Sequence, residues 1–321
     1  MLYHLLKPIV RLAMLIFCRK VIVNKPHLLK SKGPLLLACN HPNSFLDAVI
    51  LDVLFDQPVW SLARGDVFKK KWAARILYRL KMLPVYRPSE GVENLSENYK
   101  TFDDCINLFR EGSLVQIFSE GKCINEWHLR PLKKGTARLA IKAWEENIPL
   151  KVLPVGINYS SYYRFGKNMF INIGEAIDAS AINMNEPEGQ RHQSFNKQLK
   201  EQLSELVFEI PKTDKLLQQQ RLEIKPSTIK RILLFIPSIT GWLLHAPLYL
   251  PIKSFTWKRT WNTDHYDSIM TAALLVTYPF YVLLMTLALL LITCDWWMLF
   301  ALIIFPFTAW AYVQLKPQMD K

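Results

Sequence analysis

The stretch "NHPNSFLD", residues 40–47, sets a histidine and an aspartate six positions apart, His41 and Asp47, between two apolar runs. An imidazole, with an ordinary pKa near about 6.5, can take a proton from a hydroxyl at neutral pH. A carboxylate on its other ring nitrogen fixes the tautomer and stabilises the imidazolium as it forms. One regular helix cannot aim both side chains at one point, because six residues turn through about 600° and leave them about 120° apart. Pro42 supplies another geometry by pushing His41 out of the helical region into extended backbone, at the end of a strand. Ser44 then caps a helix that begins with Phe45, and Asp47 falls in its first turn. A strand-end histidine and a first-turn carboxylate can meet across that turn. "SFLD" also reads as a capping box, with Asp47 reaching back to a backbone N–H and His41 an ordinary polar turn residue. Taken alone, these eight residues favour the cap.

The elements that must position this pair alternate along the chain. "LLLACN", "PVWSLARG", "LPVYR", "SLVQIFSE", "LKVLPVGINY" and "MFINIG" read as strands, several with the continuous apolar character of buried ones. Between them "SFLDAVILDVLF", "KKWAARILYRLKM", "ENLSENYKTFDDCINLFREG" and "GTARLAIKAWEEN" carry apolar residues at helical spacing, and Gly112 is a helix stop. Such alternation predicts an α/β domain with its active groups in loops at strand ends. A polar helical stretch from about 190 to 223, with Phe195, Leu199, Leu203 and Leu206 on one face, predicts a cover helix.

Three later segments change the weight of the His–Asp pair. "SLARGDVFKKKWAARILYRLKMLPVYR" (61–87), "LVQIFSEGKCINEWHLRPLKKGTARLA" (114–140) and "LKVLPVGINY" (150–159), taken in order with "NHPNSFLD", resemble the four sequence blocks of the glycerolipid acyltransferase superfamily, which includes 1-acylglycerol-3-phosphate and glycerol-3-phosphate acyltransferases. The resemblance covers about residues 30–175. It implies a glycerophosphate-acyltransferase-like sheet flanked by helices, with His41 as general base and Asp47 orienting it. It also implies acceptor binding by Arg64, Glu120 and Gly121, and support of the acyl site by Pro154. The reaction implied moves a fatty acyl group from acyl-CoA or acyl carrier protein to a hydroxyl of a phosphorylated three-carbon acceptor, with no cofactor beyond the acyl carrier.

Two departures from the family pattern bear on the acceptor. Five residues separate His41 from Asp47 where four are usual, a spacing that resembles a variant among glycerol-3-phosphate and dihydroxyacetone-phosphate acyltransferases. The third block usually reads F-P-E-G-T-R-S, and here "FSEGKCI" puts Lys122 at the Thr position and Cys123 at the Arg position. Lys122, Arg130, Lys133 or Lys134 would then replace the missing guanidinium. The alternatives within the class are acylation of 1-acylglycerol-3-phosphate (lysophosphatidic acid) or of a lyso amino-acid lipid. The alternative outside it is a non-catalytic membrane scaffold that retains the fold.

Composition bounds the setting. Among 321 residues, Lys and Arg outnumber Asp and Glu 40 to 27, a formal charge of +13 that favours anionic partners. A phospholipid membrane explains it better than nucleic acid, for which no binding motif is present. The five cysteines have no CxxC spacing, so neither a disulfide framework nor a metal site is expected, and a reducing cytosolic setting is the default. "TDHYD" (263–267) reads as a polar juxtamembrane turn rather than a metal site. Residues 1–29 are basic and apolar without the character of a signal peptide, and read as an amphipathic membrane-surface segment. Residues 30–225 make the acyltransferase domain, and 226–321 a C-terminal α-helical membrane region. Within that region 269–293 and 296–315 are uncharged and long enough to form a transmembrane hairpin. The run 233–252, broken by Pro237, Gly241, Pro247 and Pro251, reads as re-entrant or interfacial. Lys258, Arg259 and Lys316 place the outer ends of the hairpin, and with them the catalytic domain, on the cytoplasmic side.

Overall fold

The computed structural model describes residues 2–86 and 97–320. Its strands form one seven-stranded sheet: β1 (Cys18–Val23), β2 (Leu35–Cys39), β3 (Val59–Arg64), β4 (Met82–Val85), β5 (Leu114–Phe118), β6 (Lys151–Tyr159) and β7 (Lys167–Ile173), in the order β1-β7-β6-β2-β5-β3-β4. The six strands read from the sequence are present, and β1 is an addition. "CRKVIV" carries two adjacent charges that break the apolar run by which the other strands are recognised. Residue 87 at the end of "LPVYR" and residues 93–96 at the start of the third helical candidate lie outside the described residues.

β2 is apolar on both faces and wholly buried, which suits a strand flanked on both sides by parallel neighbours. It runs parallel to β5, with Cys39 level with Phe118, and parallel to β6, with Ala38 level with Pro154. β3 is parallel to both β5 and β4. The carboxyl ends of β6, β2, β5, β3 and β4 therefore share one edge of the sheet. In open α/β sheets this is the edge where loops collect ligand-binding groups.

Helices α1 (Leu2–Phe17), α2 (Ser44–Leu54), α3 (Lys71–Arg79), α4 (Glu97–Arg110), α5 (Lys134–Glu145), α6 (Glu188–Leu206) and α7 (Lys215–Leu222) surround these strands in sequence. α4 stops where the sequence requires it. Gly112 takes a φ of +70°, a left-handed conformation natural to glycine, and the amides of Gly112 and Ser113 turn back to the carbonyls of Phe109 and Leu108. The stretch 190–223 is two helices rather than one, because Pro211 lies in the connection between α6 and α7 and cannot donate to a helical ladder. The predicted stripe is the buried face of α6: Phe195, Leu199 and Leu203 lie fully inside, joining Leu36, Leu62, Ile106, Phe109, Val115 and Leu139 in one core, and Leu206 packs at its margin. Each such side chain contributes about 1.5–3 kcal/mol.

The chain divides into two compact units. One comprises Met1–Pro8, Val23–Asn158 and Phe170–Pro211, and the other Ile9–Ile22, Tyr159–Met169 and Lys212–Lys321. The second holds three helices long and apolar enough to cross a membrane: α8 (Thr228–Thr260), α9 (Tyr266–Thr293) and α10 (Ala301–Leu315), the last extended by a 3-10 turn over Trp296–Phe300. Cys294, at a φ of +54°, ends α9, and the Asp295 carboxylate caps the following turn by accepting the Trp297 N–H at 3.0 Å.

The run 233–252 is not interrupted: Pro237, Gly241, Pro247 and Pro251 all lie inside the single helix α8. Each proline removes one ladder bond, a loss a long packed helix can absorb as a bend. Gly241 serves packing. A Cβ added there would stand 2.0 Å from the Thr308 carbonyl oxygen, so the glycine lets the backbones of α8 and α10 approach closely.

In "TDHYD", Asp267 is buried in an ion pair with the buried ammonium of Lys167 in the same unit. Among the described residues no cluster of His, Cys, Asp or Glu could hold a metal ion. All five cysteines are free.

Candidate active site

His41 follows β2 and Asp47 sits in the first turn of α2, as Pro42 and the helix signal require. The two meet: His41 Nδ1 lies 2.8 Å from Asp47 Oδ2. A carboxylate only accepts, so Nδ1 carries the proton and Nε2 is left with its lone pair. Nε2 has no hydrogen-bond partner among the described residues. Asp47 is fully buried, whereas the His41 side chain keeps 13% of its surface exposed. The same Oδ2 accepts the backbone N–H of Asn43 at 2.8 Å. Helix capping and histidine orientation, alternatives on sequence grounds, are therefore two contacts of one oxygen atom.

The capping position falls one residue before the expected Ser44. The helix starts at Ser44 itself, with Asn43 in the capping position and no side-chain cap. Ser44 has a φ of +51°, and its N–H points to Cys123 Sγ at 2.8 Å. Asp47 already satisfies the amide of Asn43, and the thiol of Cys123 receives the next one.

The loop after β5 wraps this turn. Glu120, 5% exposed, accepts the His41 N–H at 3.0 Å on one oxygen and the Arg130 N–H at 2.9 Å on the other. Burial pushes its carboxyl pKa above the ordinary range, against the opposing pull of the Arg130 and His41 amides. Ile124 donates to the His41 carbonyl at 3.2 Å, and Asn125 Nδ2 to that of Pro42 at 2.7 Å. The imidazole stacks on Phe118, the last residue of β5, with ring centroids 3.9 Å apart and planes within 12°. On the other side of β2, Asn40 exchanges two hydrogen bonds with the backbone of Ile157 in β6. Gly121, at a φ of +69°, makes the sharp turn out of β5, and a Cβ there would meet the Lys133 side chain at 3.0 Å.

Among the predicted acceptor-binding cations, Arg130 is joined to this network through its backbone. Its backbone is held by Glu120, its Nε lies 3.6 Å from Glu126, and one terminal nitrogen is buried without a hydrogen-bond partner. A guanidinium with an unused buried donor is suited to receive an anion. Lys122 is exposed, as are Lys133 and Lys134 at the start of α5.

Arg64 ends β3 on the same sheet edge, but β5 lies between β3 and β2, a separation of about 10 Å at ordinary strand spacing. It is half exposed and its NH2 donates to Asp66 at 2.5 Å. Pro154 is buried in β6 level with Ala38, within the sheet rather than at its rim. Cys39 is buried and its thiol pKa is raised well above the ordinary value, by burial first and the Asp47 charge second, so it stays a neutral core residue.

Cys123, Asn125 and Phe118 are the contacts that sequence reasoning missed. The available signal was Cys123, an apolar-sized side chain at a position where the resembled blocks carry arginine.

Residues 20–158, which contain all of these groups, match the acyltransferase family model. This domain belongs to the acyltransferase family. Among solved structures, the chain is similar to the 1-acyl-sn-glycerophosphate (LPA) acyltransferase PlsC from Thermotoga maritima. The identity is 17% and the TM-score 0.42, over 59% of this chain and 71% of that one. Comparison with curated protein sequences finds no match.

Proposed function

We propose that the acyltransferase domain moves a fatty acyl group from an acyl thioester, carried on coenzyme A or acyl carrier protein, to a hydroxyl of glycerol-3-phosphate in phospholipid synthesis. The observation that carries this reading is the His41–Asp47 hydrogen bond of 2.8 Å with Nε2 left open. His41 Nε2 takes the hydroxyl proton as the oxygen attacks the thioester carbonyl. The C–O bond forms, the C–S bond breaks, and the proton passes from the imidazolium to the departing sulfur. Asp47 stabilises the imidazolium in between. No acyl-enzyme is required, because a thioester is already activated.

The other residues take supporting roles. Glu120 positions His41 and Arg130 through their amides, and Gly121 supplies the turn that brings Glu120 to them. Arg130 holds the acceptor phosphate with help from Lys122 and Arg64, the last after exchanging its contact with Asp66. Pro154 supports the acyl-binding wall. The five-residue spacing between His41 and Asp47 favours glycerol-3-phosphate over a lyso-lipid.

A membrane setting on the cytoplasmic side is part of the proposal. Apart from the three apolar helices, α3 supports it. None of its nine residues is buried, and Trp72 and Ile76 are exposed among Lys69, Lys70, Lys71, Arg75 and Arg79, the composition of a helix lying in an anionic bilayer surface. The test is incubation of the purified chain with labelled acyl thioesters and each acceptor in turn. Esterified glycerol-3-phosphate is the expected product. Preference for a phosphate-free acceptor would remove the roles given to Arg130 and Arg64.

A further inference from the structure

The second unit contains a cleft of about 450 Å³ unrelated to the His41 network, lined on one side by the start of α8 and on another by the residues that follow α10. Its wall on α8 runs Arg231, Phe235, Ile239 at intervals of four, so one helix face passes from a cation to two apolar side chains over about 12 Å. Both apolar side chains are exposed, and they lie where α8 turns from its polar first turn to its apolar length.

Arg19 also lines the cleft. Its NH1 and NH2 donate to the carbonyls of Lys316 and Ile224 at 3.3 and 3.2 Å, so the guanidinium is fixed in place while retaining its charge. Burial lowers its pKa first, the Glu223 carboxylate opposes that, and the nearby Arg231 cation adds to the lowering. The side chains of Arg231 and Lys20, both exposed, make no hydrogen bond or ion pair among the described residues. Lys230 is tied to the same place: its ammonium donates to Gln314 at 2.6 Å, and Gln314 in turn donates to the Arg19 carbonyl at 3.3 Å. Arg19 and Arg231 thus line the cleft with one carboxylate, Glu223, beside an apolar wall.

We infer that this cleft binds one anionic phospholipid, its phosphate between Arg231 and Arg19 and an acyl chain along Phe235 and Ile239. A free anion would use the cations but not the apolar stripe. A zwitterionic lipid would use the stripe but bring its own ammonium against the cations. The phosphodiester lipid matches both. The inference does not depend on acyl transfer, since none of these residues belongs to the His41 network.

Native mass spectrometry of the full chain in neutral detergent tests it, with dioleoyl phosphatidylglycerol, dioleoyl phosphatidylcholine and inorganic phosphate as separate probes. One phosphatidylglycerol should be retained under conditions that strip phosphatidylcholine, and inorganic phosphate should not displace it at equal concentration. Arg231→Glu should weaken its retention at least about fivefold, and Phe235→Ala should weaken it with the charges intact. Arg231→Gln replaces the first variant if that one does not fold. Equal retention of the two lipids, displacement by phosphate, or unchanged retention in the folded Arg231 variant would each overturn the inference.

Discussion

Asp47 in the first unit and Asp267 in the second are both withdrawn from water, with side-chain exposures of 0% and 1%, and each faces a basic partner. Lys167, the partner of Asp267, is itself fully buried, so both charges are enclosed and the pair ties the start of β7 to the start of α9. His41, the partner of Asp47, keeps an open face and an unused ring nitrogen. Burial of a carboxylate is common to the two. What separates them is whether the partner retains a lone pair that a substrate can reach. A buried ion pair by itself is weak evidence for a site, since it can serve register or docking alone.

The comparison predicts opposite outcomes for the two partners. His41→Ala should lower acyl transfer by about 10²–10⁴-fold with the thermal midpoint little changed, as read by turnover of the purified chain and by thermal unfolding. Lys167→Ala should instead destabilise the second unit by about 3–5 kcal/mol, because it removes the buried cation paired with the buried Asp267 carboxylate, and turnover per folded molecule should stay near wild type. The double variant Lys167→Met with Asp267→Leu should recover most of that stability, as replacement of a whole buried pair by apolar groups often does. If Lys167→Ala abolished turnover in folded protein, the distinction between the two aspartates would fail.

Glu120 sharpens the same contrast, because it is a third buried carboxylate and serves two backbone amides. Glu120→Gln offers one acceptor where two N–H groups point, so it should cost about 1–3 kcal/mol, with turnover reduced through the displaced His41 backbone. A smaller effect is expected in pH dependence. The raised pKa of Glu120 means the folded protein holds this proton more tightly than the unfolded chain. Stability from this group is therefore greatest at low pH and falls as pH rises from the ordinary carboxylate pKa, about 4.3, through the raised folded value. Stability curves of wild type and Glu120→Gln measured across that window should converge as pH rises. Parallel curves would mean that the amides cancel the effect of burial, and diverging curves that they outweigh it.

Much of the site was legible because it depends on local rules. Pro42 forces His41 into extended backbone, apolar runs mark β2 and β5 as buried strands, and Gly112 and Gly121 stand where the backbone turns left-handed. Contacts across the chain were not legible. That Cys123 receives the Ser44 amide, that Phe118 stacks on the imidazole, and that both oxygens of Glu120 are used by backbone groups follow from β2 and β5 lying side by side, with the loop after β5 closing over the turn after β2. The helix starts one residue earlier than the serine signal indicates, and the Ser44 amide meets a thiol from 79 positions away, a contact no local rule reveals. In the second unit the proline pattern in α8 pointed to a break, yet the helix continues. Gly241 is explained by the backbone of α10 against it, a neighbour no local rule reveals.

The central claim is that Asp47 orients and stabilises the His41 base as well as capping a helix, through one oxygen. Asp47→Asn separates the two tasks. An amide oxygen in the place of Oδ2 still accepts from Asn43 and from His41 Nδ1, so the cap survives, but the charge that favours the imidazolium is gone. The account predicts turnover reduced at least about tenfold, the difference between a charge-assisted and a neutral hydrogen bond, with a stability loss under about 1 kcal/mol. Wild-type turnover in folded Asp47→Asn protein would contradict it and leave Asp47 a helix cap.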